Sequence, residues 1–396
     1  MLELNGKYGT AKVFTNNIEE STISQIIEVL NSVFTKESTI RIMPDTHVGK
    51  GAVIGTTMTI KDKIVPNLVG VDVGCGMSVA KINVDKDNIN FEELDKTIRT
   101  HIPHGFSVRK KEHPFVKNIK FKDIILQINF DRAKKSIGTL GGGNHFIELN
   151  CSSNGSIYLV IHSGSRSLGK EVALHYQKLA YDELFFKNES IRSNTINKLM
   201  QSGKTKDIQE EIEKLDLPYV KKELAYLQGQ SFDDYLNDMN IAQKFASLNR
   251  KAMIEEITKN MNWKIEDEWE SIHNFIDTEN MILRKGATSA KQNEKLLIPI
   301  NMRDGSIIAI GKGNEDWNFS APHGAGRLMS RSAAKNIVNL RDFKDSMKDV
   351  WTTSVTKNTL DESPFVYKPM QEIIDNIHET VDIVDIIKPI YNFKSS

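Results

Sequence analysis

Two stretches of the chain set unlike donor atoms close together. In "VGVDVGCGM", Val69 to Met77, the carboxylate of Asp72 stands three residues before the thiol of Cys75, among Gly70, Gly74 and Gly76. In "GTLGGGNHFIEL" the imidazole of His145 follows a run of three glycines. Two more imidazoles have unusual settings: His162 ends the apolar run of "SIYLVIHSGSR", and His273 lies in "SIHNFID". A carboxylate, a thiolate and imidazoles form a donor set for a borderline divalent cation. Glycine lets backbone approach an ion closely and permits positive φ at the turns. Singly these signals are weak. A lone histidine at a strand end is more often structural, a lone cysteine is more often a small core residue, and a carboxylate three residues from a cysteine is common. Repetition gives them weight, because several of the ten histidines fall in or beside Gly-rich loops. Three donors suit one ion. Five suit two, with the thiolate bridging at a separation of roughly 3.5–4 Å. Donor softness leaves zinc and manganese equally open.

A second chemistry is written in "APHGAGRLMSR", Ala321 to Arg331. Gly324 and Gly326 free backbone N–H groups near a predicted helix start, a setting that binds anions. Arg327 and Arg331 are four apart, which predicts a shared helix face able to grip phosphate. His323 precedes the glycines, and an imidazole nitrogen can attack phosphorus to give a phosphoramidate. On these residues alone the opposite reading weighs the same: His323 caps a turn and the arginines are surface charges. "MPDTHVGKGAVIGTT" adds Asp45 and His47, and "RKGAT" adds Arg284 and Lys285 beside a glycine. Neither a Walker loop nor a Rossmann fingerprint is present.

The elements that must position these groups are legible in outline. "SIYLVIHSGSR" predicts a strand ending at His162, and "KLLIPINM" and "GSIIAIGKG" predict two strands around a turn at 303–305. From about 170 to 270 the character turns helical, with Leu236, Met239, Ile241, Phe245, Leu248, Met253, Ile254 and Ile257 at helical spacing. "HGAGRLMSRSAAKNIVNL" predicts a Gly turn feeding a helix whose inner face holds Leu328, Ala333, Ile337 and Leu340. The end of the chain predicts a helix and a closing strand. The expectation is a mixed α+β fold, a strand-and-loop body over 1–396 with a helical insertion, and a site on loops at strand ends.

Composition narrows the function classes. Hydrophobic residues at 39% and charged residues at 26% are an ordinary balance for a soluble domain. No run of eighteen apolar residues predicts a membrane span, and the N-terminus has no signal-peptide pattern. Two cysteines, Cys75 and Cys151, are no disulfide framework and point to a reducing cytoplasm. The 52 basic and 52 acidic residues cancel, which argues against coating nucleic acid by bulk charge. A local basic cleft stays open, with "SVRKKEHPF", Ser107 to Phe115, as a candidate; its plainer reading is a solvated loop.

Taken together the blocks resemble the RtcB-type RNA-splicing ligases. The matching segments are "MPDTHVGKGAVIG", "VGVDVGCGM", "GTLGGGNHFIE", "IHSGSRSLG", "HNFID", "RKGAT", "HGAGRLMSR" and the terminal "PIYNFK", in family order from Met43 to Lys394. The resemblance implies a GTP- and manganese-dependent enzyme that joins RNA 3′-phosphate or 2′,3′-cyclic phosphate ends to 5′-hydroxyl ends. His323 would carry GMP, pass it to the RNA 3′-phosphate, and an RNA-(3′)pp(5′)G end would precede sealing. It also implies two manganese ions held by Asp72, Cys75, His145, His162 and His273, with Cys75 bridging. Nucleotide contacts carry over to Asn144, Glu148, Asn274, Pro299, Asn301, Met302, Ser306, Gly324, Ala325, Gly326, Tyr367 and Lys394. Asp45, Lys285, Arg327 and Arg331 carry over to the RNA side. The implied partners are RNA and, as in some relatives, an archease-like helper protein, with the chain itself a monomer. One segment departs: where the family commonly has a Gly-rich "PG(S/T)MG", this chain has "PINMRDGS", so Ile300 and Arg303 replace glycines and Asn301 a hydroxyl residue. That departure suggests a divergent branch with a changed nucleotide grip, used in RNA repair or in tRNA splicing. Two alternatives remain at this point, a two-metal phosphohydrolase or nuclease that does without His323 and Lys394, and an inactive RNA-binding paralogue.

Overall fold

Antiparallel pairing organises the molecule. The computed structural model describes all residues except Asp216, Pro218 and Ser396. Its larger sheet runs in the order Lys295–Asn301, Gly305–Gly311, Val381–Lys394, Phe146–Cys151, Ile157–Ser163, Gly76–Asn83 and Lys264–Ile272, with Trp351–Thr352 added beside Val381–Lys394. All these neighbours are antiparallel except the short Trp351–Thr352 pairing. A second sheet has the order Leu2–Asn5, Thr10–Val13, Ile40–His47, Ile54–Thr59, Ile282–Lys285 and Asn274–Asp277. A two-stranded ribbon pairs Ala287–Ser289 with Ser320–Pro322. The α+β expectation holds.

The strand Ile157–Ser163 shows why the larger sheet is buried on both faces. Side chains alternate across a strand. Ile157, Leu159 and Ile161 pack with Met253, Ile254 and Ile257 of the helix Gln230–Asn260. Val160 faces the other way, onto Leu297, Ile308 and Ile387, because the sheet curls back over itself. The run therefore reads as continuously apolar rather than alternating.

Two long helices, Arg166–Gln201 and Gln230–Asn260, lie in the expected helical segment and join a core through Tyr176, Tyr235, Met239, Ala242 and Phe245. Burial along the first stops at Ala180, beyond which Phe186 and Met200 are exposed. The helical character ends earlier than the expected 270, since Lys264–Ile272 is the edge strand of the larger sheet. Its charges at Glu266, Asp267 and Glu268 suit an edge that must not pair further. The segment after the Gly turn also differs from expectation. It forms two short helices, Arg331–Ile337 and Leu340–Ser346, because Ser330 and then Asn339 each accept a backbone N–H and restart the chain as N-caps. Only Ala334 of the first is buried, while Leu328 and Ile337 face solvent. No helix among the described residues is long and apolar enough to cross a membrane.

Candidate active site

Four neighbouring strands bring four donors to one edge. Their order is Phe146–Cys151, Ile157–Ser163, Gly76–Asn83 and Lys264–Ile272, each antiparallel to the next. Starts and ends therefore alternate along the same edge. His145 precedes the first strand, His162 is near the end of the second, Cys75 precedes the third and His273 follows the fourth. Strands spaced about 4.8 Å apart place such side chains within reach of a common ion. The Cys75 Sγ lies 3.2 Å from His162 Nε2 and 3.5 Å from His145 Nε2. His162 Nε2 is 3.4 Å from His273 Nε2, and Asp72 Oδ2 is 2.9 Å from His145 Nε2. The five residues expected as ligands thus form one chain of facing donor atoms. Cys75, His145 and His162 by themselves meet the spacing of a metal site.

The surroundings fit a cation. His145 Nδ1 donates to the Leu140 carbonyl at 2.9 Å and His162 Nδ1 to the Asn144 carbonyl at 3.1 Å, which directs each Nε2 lone pair inward. Burial, then the neighbouring imidazoles and cations, hold His162 and His273 well below the ordinary histidine range, so both are neutral near pH 7 and free to offer a lone pair. Burial and the Asp72 charge push the Cys75 thiol well above its usual range. A divalent cation reverses that penalty, because a coordinated thiol ionises. Gly164 is required here: a Cβ on it would fall 2.1 Å from Asp72 Oδ1.

The helix Gln230–Asn260 holds this edge in place through two polar residues whose importance the sequence did not reveal. Arg250 is fully buried. Its guanidinium donates to the carbonyls of Gly74 at 2.8 Å and Ser163 at 2.9 Å, and pairs with Glu270 at 3.1 Å. Asn249 donates to Ser163 Oγ and the Gly164 carbonyl and accepts from Thr139 N–H. Three loops that aim ligands are thereby tied to one turn of helix. The only available signal was a polar pair inside the apolar helical pattern.

His323 stands beside the ligand row, its ring centroid 4.8 Å from that of His273. Asp45, expected on the RNA side, is instead fully buried behind it. The Asp45 Oδ2 accepts from His323 Nδ1 at 2.7 Å and from its backbone N–H at 3.2 Å. That pairing engages Nδ1 and leaves the lone pair on Nε2. Gly286, at φ +59°, makes room for the ring, since a Cβ there would meet Ile54 Cγ2 at 2.2 Å and His323 Cε1 at 3.1 Å. His47, noted in the sequence but given no role, lines the same cavity with Nδ1 3.0 Å from the Asp45 carbonyl.

The cavity of about 300 Å³ joins the ligand row and His323 to an ionic wall. Of the expected nucleotide contacts, Asn144, Glu148, Asn274, Pro299, Asn301, Met302, Ser306, Gly324, Ala325, Gly326, Tyr367 and Lys394 all line it. The Ser306 hydroxyl is buried without a hydrogen-bond partner among the described residues, as a ligand-facing group would be. Glu362, which the sequence reading passed over, gathers the wall. It accepts from Lys394 Nζ at 2.7 Å and Tyr367 Oη at 3.0 Å, and pairs with Arg331 at 2.8 Å and Arg327 at 3.6 Å. The two arginines do not share a helix face, because Arg327 precedes the helix; they converge through this one carboxylate. Lys285 does not line the cavity. Its ammonium is buried, donates to the Asn67 carbonyl at 2.6 Å, and is pushed down to about 8 by burial. Arg303 also stays out of the cavity, paired with Asp304 in a turn that Asn301 closes by accepting from the N–H groups of both. Ile300 alone of the two glycine replacements faces the site.

The family model described as tRNA-splicing ligase RtcB matches residues 25–128 and 117–395. The RNA-splicing ligase RtcB of Escherichia coli K12 is 30% identical over 93% of this chain and 92% of its own length. The tRNA-splicing ligase RtcB of Nanoarchaeum equitans is 25% identical over 85% of this chain and 84% of its own. A second Escherichia coli protein, the RNA-splicing ligase RtcB2 of strain ATCC 25922, is 24% identical over 89% of this chain and 87% of its own. With the motifs in order and the donor atoms converging, the chain belongs to the RtcB family.

Proposed function

We propose that this protein is an RNA ligase that uses GTP and manganese to join a 3′-phosphate or 2′,3′-cyclic phosphate end to a 5′-hydroxyl end. The observation that carries the reading is His323, fixed through Nδ1 by a buried carboxylate and set against the ligand row with Nε2 free. In the proposed sequence Nε2 attacks the α-phosphorus of GTP, the N–P bond forms and pyrophosphate leaves. An oxygen of the RNA 3′-phosphate then displaces the histidine, giving RNA-(3′)pp(5′)G. The 5′-hydroxyl oxygen attacks the RNA phosphorus, its proton leaves, GMP departs and a 3′–5′ phosphodiester remains. A cyclic phosphate is first opened by water to the 3′-phosphate.

Asp72, Cys75, His145, His162 and His273 would hold two manganese ions, which when bound neutralise charge on phosphoryl oxygens. The rest falls to the chain. Asp45 holds the ring and stabilises charge as the imidazole reacts. Asn144, Glu148, Ser306, Tyr367 and Lys394 surround the guanosine, and Arg327 and Arg331 face phosphate once a ligand competes for Glu362. Incubation of two RNA oligonucleotides bearing these ends with protein, GTP and manganese should give one joined strand. Cleavage without joining, or joining that proceeds equally without GTP, would overturn the proposal.

A further inference from the structure

The basic run at 107–113 and the residue before it have no part in the chemistry above. Phe106 is 96% exposed, more than any other large hydrophobic side chain among the described residues. A solitary exposed ring is ordinary on a surface, but this one is displayed by a backbone tied firmly to the site. Gly105 N–H donates to the Gly141 carbonyl at 2.8 Å, and Leu140 N–H donates to the Pro103 carbonyl at 2.9 Å. Arg166 donates to the Gly105 carbonyl and Arg132 to that of Phe106 itself, both at 2.9 Å. The Leu140 carbonyl in turn orients His145. On the other flank His104 packs edge-on against Phe393, next to the cavity residue Lys394. Phe106 is therefore held between the segment that carries Asn144 and the one that carries Lys394, both of which line the cavity.

Its neighbours favour a polyanion. Lys110 and Lys111 are exposed and form no ion pair with a described residue, and Arg132, which donates to the Phe106 carbonyl, is exposed. The carboxylates close by are Glu112, which is exposed, Asp131, which is paired with Lys135 at 2.8 Å, and Glu256, which is paired with Arg109 at 3.1 Å. We infer that Phe106 is a stacking platform for a nucleobase of single-stranded RNA entering the cavity, with Lys110, Lys111 and Arg132 as its phosphate contacts. A flat exposed ring with cations alongside is the arrangement that holds single strands without sequence preference, since every base offers a π-face. The inference rests on the ligase reading for the identity of its ligand.

Fluorescence anisotropy with a labelled single-stranded RNA ending in a 3′-phosphate tests it on the full chain. Phe106→Ala and Phe106→Leu should bind about five- to a hundredfold more weakly than wild type, the range supplied by one aromatic stack, and Phe106→Trp should bind at least as well. For a strand whose terminal nucleotides are abasic, wild type and Phe106→Ala should bind alike. Lys110→Gln with Lys111→Gln should weaken every strand and flatten the dependence on salt. Equal binding by wild type and Phe106→Ala, or an equal loss on the abasic strand, overturns the platform. Labelling of the wild type from GTP, measured separately, reports on the ligase reading alone. Wild type that is labelled while Phe106→Ala binds as tightly removes the platform and leaves the ligase intact.

Discussion

The two walls of the cavity manage buried polarity in opposite ways. On the side of the candidate metal cluster, imidazoles and a thiol face one another at 3.2–3.5 Å, with burial holding His162 and His273 uncharged. On the nucleotide side, Glu362 is 3% exposed and is surrounded by Lys394, Arg331 and Arg327. The first wall carries one carboxylate, Asp72, among a thiol and uncharged imidazoles, a donor set that a cation would complete. The second already pairs its three cations with Glu362 and Asp361 and would have to exchange partners to receive phosphate. The difference teaches that the metal wall can be rigid, built from strand ends and tied down by Arg250, whereas the ionic wall joins the loop and short helices between 323 and 367 to Lys394 at the end of the strand Val381–Lys394.

Substitution of Cys75 by Ser should break the comparison most severely. A hydroxyl does not ionise where a thiol does, so metal binding and nucleotide transfer should both be lost. Elemental analysis after dialysis against manganese measures it; an unchanged metal content would mean the sulfur is not a ligand.

The next effects are on folding. Arg250→Met strips the cation that pairs with Glu270 and caps two carbonyls, and Glu362→Gln removes the carboxylate that neutralises Lys394. Breaking a buried pair from one side costs about 3–5 kcal/mol, and denaturant titration should show a loss of that order for each. Metal binding should weaken only in Arg250→Met. If Glu362→Gln also loses metal, the two walls are not independent.

A somewhat smaller effect is expected with pH. Burial pushes the Glu148 carboxyl from 4.5 up to about 7, against hydrogen bonds from Asn392 and Asn150 and the charge of Lys394. Between those values the folded protein keeps a proton that the unfolded chain has released. Stability contributed by this group therefore falls as pH rises from about 4.5 to 7, by about 3 kcal/mol in total. Glu148→Gln should remove that portion of the slope in a series of melts, and an identical slope in the variant would place the titration elsewhere.

The smallest effect concerns the variant turn. Ile300→Gly should loosen discrimination among nucleoside triphosphates, because Ile300 faces the cavity. Arg303→Gly should leave discrimination unchanged, because Arg303 is engaged with Asp304 outside it. Competition among nucleotides for the protein separates the two variants, and an effect from Arg303 alone would reverse the assignment.

The metal wall was legible in the sequence because its donors are rare residue types in Gly-rich settings, and the strand ending at His162 was apparent from its apolar run. What placed them together was strand order, which local sequence does not specify: Cys75 and His273 are adjacent only because Gly76–Asn83 pairs with Lys264–Ile272. Arg250 looked like an ordinary polar residue of a helix, and only tertiary contact reveals that both its sides are buried. Asp45 was seen as a site residue in the wrong place, since its motif gives no sign that it lies behind His323. The expected helix face of Leu328, Ala333, Ile337 and Leu340 failed because Ser330 and Asn339 cap separate short helices.

The account depends most on His323 being a nucleophile held by Asp45 next to the metal wall. Mass spectrometry of the protein after incubation with GTP and manganese measures this directly. A single acid-labile GMP adduct on the His323 peptide, absent in Asp45→Ala, is the predicted result. An unmodified His323 in protein that still seals RNA, or an adduct on another residue, would contradict it.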